Sequence, residues 1–103
     1  MNLIIKTILL TSSIYSYSLT VIDVRTPEEW KSGYLESAIN IEWQNITSIE
    51  SLISKDEEIY LYCRSGNRSS KAAKILTEAG FINITNAGSI QEASQLLDIN
   101  IIN

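Results

Sequence analysis

Residues 58–80 read EIYLYCRSGNRSSKAAKILTEAG. The first six residues form an apolar, aromatic-rich run without polar alternation, the pattern of a central strand buried on both faces. From Ser69 onward, Ala72, Ala73, Ile75, Leu76 and Ala79 recur at helical spacing, and Gly80 follows as a stop. A strand that passes through a short loop into a helix is the basic step of an α/β chain with a parallel sheet.

The flanking segments repeat this alternation. TVIDV (20–24) is a β-branched run of strand length, followed by Thr26-Pro27-Glu28-Glu29. There Thr26 can cap a helix, Pro27 suits its first position and Glu29 completes a capping box, while Gly33 ends the element. AINI (38–41) predicts a second small strand, and Thr47-Ser48-Ile49-Glu50 the capped start of a second short helix. INIT (82–85) predicts another strand, and Ser89-Ile90-Gln91-Glu92 caps a last helix through Leu96 and Leu97. The closing DINIIN (98–103) fits either a frayed tail or a short pairing segment. The expected fold is α/β, with a mainly parallel sheet flanked by helices.

Bulk composition excludes several functions. The 103 residues suit one domain, and 45% hydrophobic content can fill one modest core. A net charge of −4 argues against a nucleic-acid binder held by phosphate contacts. The chain has one cysteine and no histidine, so zinc, haem and iron–sulfur sites are not expected, nor is any other metal or cofactor. Catalysis cannot rest on a Cys-His or Ser-His pair.

Residues 1–18, MNLIIKTILLTSSIYSYS, have one lysine, no acid, a short apolar middle and a small-residue exit. This is the pattern of a signal peptide, with an ordinary first strand or helix as the alternative. The apolar middle is shorter than the roughly 20 residues a bilayer requires, so no membrane span is expected in the mature chain. The expected division is a signal peptide over 1–18 and a folded domain over 19–103, in a periplasmic or secreted protein.

The lone thiol, Cys63, lies where the strand ends and the loop begins. Ligands of open α/β sheets gather outside such strand ends. A cysteine becomes a good nucleophile when its anion is stabilised by a helix N-terminus or a nearby arginine. Arg64, Ser65, Gly66, Asn67 and Arg68 offer both, because Gly66 lets the backbone curl into a nest of N–H donors and the next helix points its N-terminus at the sulfur. The bland alternative is a small buried hydrophobe beside an ordinary polar turn.

CRSGNRS (63–69) resembles the active-site loop of single-domain rhodaneses, the thiosulfate sulfurtransferases. VIDVRTPEEW (21–30) is similar to the family's opening strand and helix, with Asp23 and Arg25 at its Asp-x-Arg positions. GYLESAIN (33–40) resembles its G-H-x-x-G-A-x-N segment, with Tyr34 in place of the frequent His and Ser37 in place of the frequent Gly. ILTEAGFINITNAGSIQE (75–92) resembles the helix, strand and glycine-containing turn before the last helix, although Ala87-Gly88-Ser89 replaces a commoner Gly-Gly. The likeness covers residues 19–97 and includes the small exported type.

The resemblance implies a rhodanese-like fold and a two-step reaction. Cys63 would attack the outer sulfur of a thiosulfate-like donor, expel sulfite and hold a persulfide that cyanide, a thiol or a protein acceptor removes. Arg64, Ser65, Gly66, Asn67 and Arg68 would bind the donor and the persulfide, with Asp23 and Arg25 as structural support. Glu28, Glu29, Glu57 and Glu58 are expected on a solvated face, and Trp30 and Trp43 in core or rim packing. The alternative from another class is a non-catalytic persulfide carrier or protein-interaction module. A cysteine-dependent phosphatase or arsenate reductase requires a Cys-x5-Arg loop. Here Arg68 stands at Cys-x4-Arg and Ser69 holds the place that pattern gives to arginine.

Overall fold

The computed structural model describes residues 18–103. The expected signal peptide, apart from Ser18, lies outside the described residues. In chain order the elements are β1 (Leu19–Asp23), α1 (Pro27–Lys31), β2 (Tyr34–Leu35), β3 (Ile39–Asn40), a 3-10 helix (Trp43–Ser51), β4 (Glu58–Cys63), α2 (Asn67–Glu78), β5 (Ile84–Ser89), α3 (Ile90–Leu97) and β6 (Ile101–Ile102). Four strands form one parallel sheet in the order β3-β1-β4-β5. This is the expected α/β architecture, with β4 inside the sheet.

The apolar run of β4 is explained by packing on both sides. Ile59, Leu61 and Cys63 join Ile22, Val24, Ile46, Ile49, Ala72, Leu76 and Phe81 in a core that includes the 3-10 helix and α2. Tyr62 points the other way, into a cluster with Val21, Leu35, Ala87, Ile90 and Ala93 beneath α3. Alternate residues of one strand therefore feed two cores, and neither face can be polar. Tyr62 meets its polar obligation by accepting a hydrogen bond from Leu35 N–H through its hydroxyl at 3.0 Å.

Both flanking helices start as their sequences require. Thr26 and Glu29 close a capping box on α1, and Ser89 and Glu92 close one on α3. Two of the expected elements are displaced, and the closing residues take one of their two expected forms. The segment around Thr47 is a 3-10 helix that begins at Trp43, with no side-chain cap. Its start is set by tertiary contact, since Trp43 N–H donates to Val24 O at 3.2 Å across the end of β1. The strand expected at 82–85 runs from Ile84 to Ser89, and Ile82 is exposed. Its polar residues are carried by parallel pairing with β4 and not by an apolar face. The closing residues pair: β6 runs antiparallel to β2 in a separate two-stranded ribbon. Asp98, in the left-handed conformation at φ 55°, turns the chain out of α3 and back toward β2.

The structure places two of the departures from the resembled pattern. Ser37 has φ 72°, a conformation that favours glycine, between β2 and β3. Tyr34 stacks on Trp30 with ring centroids 4.1 Å apart. Among the described residues, no helix is long and apolar enough to cross a membrane.

Candidate active site

The carboxyl ends of β1 and β4 meet the N-terminus of α2, and this junction positions Cys63. Gly66, in the left-handed conformation at φ 94°, reverses the chain immediately after the strand. Helix α2 consequently starts at Asn67, two positions before the apolar spacing announces it. Gly66 N–H points back at the sulfur and donates to Sγ at 3.0 Å. A side chain on Gly66 would touch Gly88 Cα at 3.4 Å, so loop and β5 turn lie in contact there.

Cys63 is buried, and burial pushes its thiol toward the neutral form. A hydrogen bond shared with the Ser69 hydroxyl, and those from the backbone N–H groups of Ser69, Ser65 and Gly66, outweigh that cost and hold it below the usual range. A nest of short-range donors thus favours the anionic sulfur without any histidine.

The two loop arginines have different roles. Arg64 is exposed and, among the described residues, has no ion-pair partner. Arg68 grips Glu29 with two parallel bonds of 2.7 and 2.9 Å. Glu29, expected on a solvated face, is instead tied to Arg68. It sits at the third position of α1, faces back toward Thr26 and receives Arg68 from α2. The bond from Arg68, helped by those from Thr26, holds its carboxyl down at about 2 against burial. Ser65 is exposed on the loop and Asn67 is exposed at the start of α2.

Asp23 and Arg25 meet beneath the loop. The Arg25 guanidinium donates to both Asp23 oxygens, at 2.7 Å in the shortest contact, and to Gly33 O at 2.6 Å. Both residues are buried, so the pair ties the end of β1 to the turn before β2. Trp43 lies under the ammonium of Lys71, 5.0 Å from its ring centre, in rim packing against the core.

Two residues at the sulfur carried no local signal. Ser69 is fully buried with Oγ 3.4 Å from Sγ, and it donates to Asn86 Oδ1 at 2.6 Å. Ser69 lies in the first turn of α2, and only the early start of that helix after Gly66 brings its hydroxyl to the sulfur. Asn86 comes from β5 and is brought there by strand pairing alone.

Beside Arg64 a cavity of about 290 Å³ opens, lined by Arg25, Glu29, Ser32, Arg64, Ile90 and Gln91. Its volume admits a small anion and its rim carries Arg64.

The model of the rhodanese-like domain matches residues 10–95. The chain belongs to the rhodanese-like domain family. Thiosulfate sulfurtransferase PspE of Escherichia coli is 32% identical over 73 residues, which is 69% of this chain and 70% of that protein. The putative sulfur carrier protein YrkF of Bacillus subtilis is 30% identical over 69 residues, 67% of this chain and 37% of that one. Among the curated relatives the matched stretch ranges from 16% to 70% of their own length. In solved structures, a rhodanese with anions from E. coli aligns with TM-score 0.73 and 26% identity, over 84% of this chain and 99% of that one. At the level of the family, the chemistry of this rhodanese-like domain is sulfur transfer between a donor and an acceptor.

Proposed function

We propose that this protein takes the outer sulfur from thiosulfate or a similar anion onto Cys63 and passes it to cyanide or a thiol, the thiol belonging to a small molecule or a protein. The observation that carries this reading is the sulfur at the end of β4 with Gly66 N–H donating to it at 3.0 Å. The thiolate attacks the outer sulfur, the sulfur–sulfur bond of the donor breaks, and sulfite leaves with the electron pair. The terminal sulfur of the persulfide is then the electrophile for the acceptor, and its departure restores the thiolate. Fixed N–H dipoles stabilise the negative charge at both steps without reorganising. Arg64 is the side chain that meets the dianionic donor, because Glu29 already neutralises Arg68. Cys63 is buried, so attack on a donor requires that the surrounding loop open around the sulfur. Release of residues 1–18 on export would leave this domain in the periplasm or outside the cell.

Thiocyanate formation from thiosulfate and cyanide tests the reading, with Cys63→Ser beside the natural chain. Turnover that vanishes in the serine variant supports it, and ping-pong kinetics follow from the covalent intermediate. A folded, reduced protein without turnover defeats the thiosulfate enzyme. The likeness to a putative sulfur carrier favours one second reading, a persulfide carrier. It requires that Cys63 gain the mass of one sulfur from a donor while turnover stays absent.

A further inference from the structure

Cys63 is connected to a chain of hydrogen bonds that the transfer scheme leaves unused. Ser69 Oγ stands 3.4 Å from Sγ and donates to Asn86 Oδ1 at 2.6 Å. A hydroxyl has a single proton. While that proton points at Asn86, Ser69 can only accept from the sulfur, an arrangement that suits Cys63 as S–H. To support a thiolate, Ser69 must turn its proton onto Sγ and leave Asn86. Asn86 is oriented by two more bonds: Oδ1 accepts from Gly88 N–H at 3.0 Å, and Nδ2 donates to Gly66 O at 3.1 Å. These fix which end of the amide is oxygen. They also leave Oδ1 with a partner when Ser69 turns away.

We propose that Asn86 is a positioning residue that competes with the Cys63 sulfur for the Ser69 proton and so sets how readily the thiol ionises. The proposal rests on the reading of Cys63 as the nucleophile. On ionisation the proton of Cys63 passes to solvent, Ser69 keeps its own, and one hydrogen bond moves from Oδ1 to Sγ. Asn86 thus favours the protonated sulfur, and Ser69 the ionised one. Among the groups that draw the thiol below its usual range, the Ser69 hydroxyl stands first. The charged groups around the loop are Arg64 and Arg68, Glu29 from α1, Asp23 at the end of β1, Arg25 just beyond it, and Glu92 of α3, which leans on Gly88. All of them are the same in every neutral variant below, so they form a constant background.

The test is the pH titration of thiolate absorbance, each variant read against its own Cys63→Ser counterpart. That subtraction removes the five tyrosines and reports one sulfur. Ser69→Ala should raise the midpoint by about one pH unit, the size of one hydrogen bond to a charged group. Asn86→Ala should lower it, and the double variant should match Ser69→Ala alone. Asn86→Asp, which keeps the acceptor and adds a negative charge, should raise it. Both Asn86 variants lose the bond to Gly66 O, so a merely structural role would move them in the same direction. An upward shift in Asn86→Ala, or an equal shift with Ser69 absent, overturns the proposal. If Asn86→Ala does not fold, Asn86→Asp carries the test: its upward shift must shrink in the Ser69→Ala background, and an undiminished shift overturns the idea. The titration uses neither donor nor acceptor. Failure of thiosulfate turnover would therefore strike the functional reading alone, and an additive titration the Asn86 proposal alone.

Discussion

Two arginine–carboxylate pairs brace the active-site end of the sheet, and they differ mainly in their exposure to water. In the Asp23–Arg25 pair the side chains are 0% and 8% exposed; in the Glu29–Arg68 pair both are 27% exposed. Each is held by more than one hydrogen bond. The first is almost closed to water, so its contacts are made chiefly with protein. Arg25 adds a bond to Gly33 O, at 2.6 Å, to those it makes with Asp23. The second can be resolvated if it breaks. Geometry is therefore similar in the two pairs, whereas the cost of losing one partner is not.

The largest effect should come from the buried pair. Arg25→Met leaves the Asp23 carboxylate without its counter-charge and Gly33 O without a donor. Removing one partner of a buried pair typically costs about 3–5 kcal/mol, a large part of the ~5–15 kcal/mol that a small domain has. Urea denaturation should give a much lower midpoint, or a chain unfolded without denaturant. A loss below ~1 kcal/mol would mean that the pair is effectively solvated and that the comparison with Glu29–Arg68 has no basis.

Legibility in the sequence follows the same division between local and tertiary causes. The β4 run, the α2 spacing and the capping boxes at Thr26 and Ser89 are local patterns, and each lies where its residues place it. Cys63 and its nest were legible for the same reason, since a strand end, a glycine and a helix start are consecutive in the chain. Glu29 was misread because the capping box explained it fully, and nothing local pointed to Arg68 on another helix. Asn86 was invisible because register, not spacing, brings β5 beside Ser69. The 3-10 helix escaped because its start is a backbone bond to β1.

The half-open pair gives the intermediate effect, and its signature is acid dependence. Glu29 is held at about 2 where a carboxyl of its kind lies near 4.5. A depressed carboxyl adds stability that is complete above the unfolded value and is lost as pH falls through the folded one. The contribution should therefore fade from pH about 4.5 down to about 2. Glu29→Gln should cost about 1 kcal/mol at neutral pH and flatten stability against pH within that window. Urea midpoints of both proteins across the window check this. Parallel curves would show that Arg68 does not recognise the charge of Glu29.

A third pair, Lys55–Glu50, lies at the exposed end of the series, with side chains 46% and 44% exposed. Its contact, 2.8 Å, is within 0.1 Å of the 2.7 Å in the other two pairs, so distance alone would rank it with them. Exposure ranks it last, because water competes for both charges and salt screens what remains. Lys55 has a second task, donating to Ala79 O at 2.7 Å where α2 ends, and that bond does not need Glu50. Glu50→Gln should consequently change stability by less than about 0.5 kcal/mol, and added salt should erase even that. Substitution at Lys55 should cost more than substitution at Glu50, because it also uncaps the last carbonyls of α2. If Glu50→Gln proved as damaging as Glu29→Gln, burial would not be the variable that orders these pairs. The position of each pair relative to α2, whose first turn carries Arg68 and whose last carbonyls receive Lys55, would then be the better explanation.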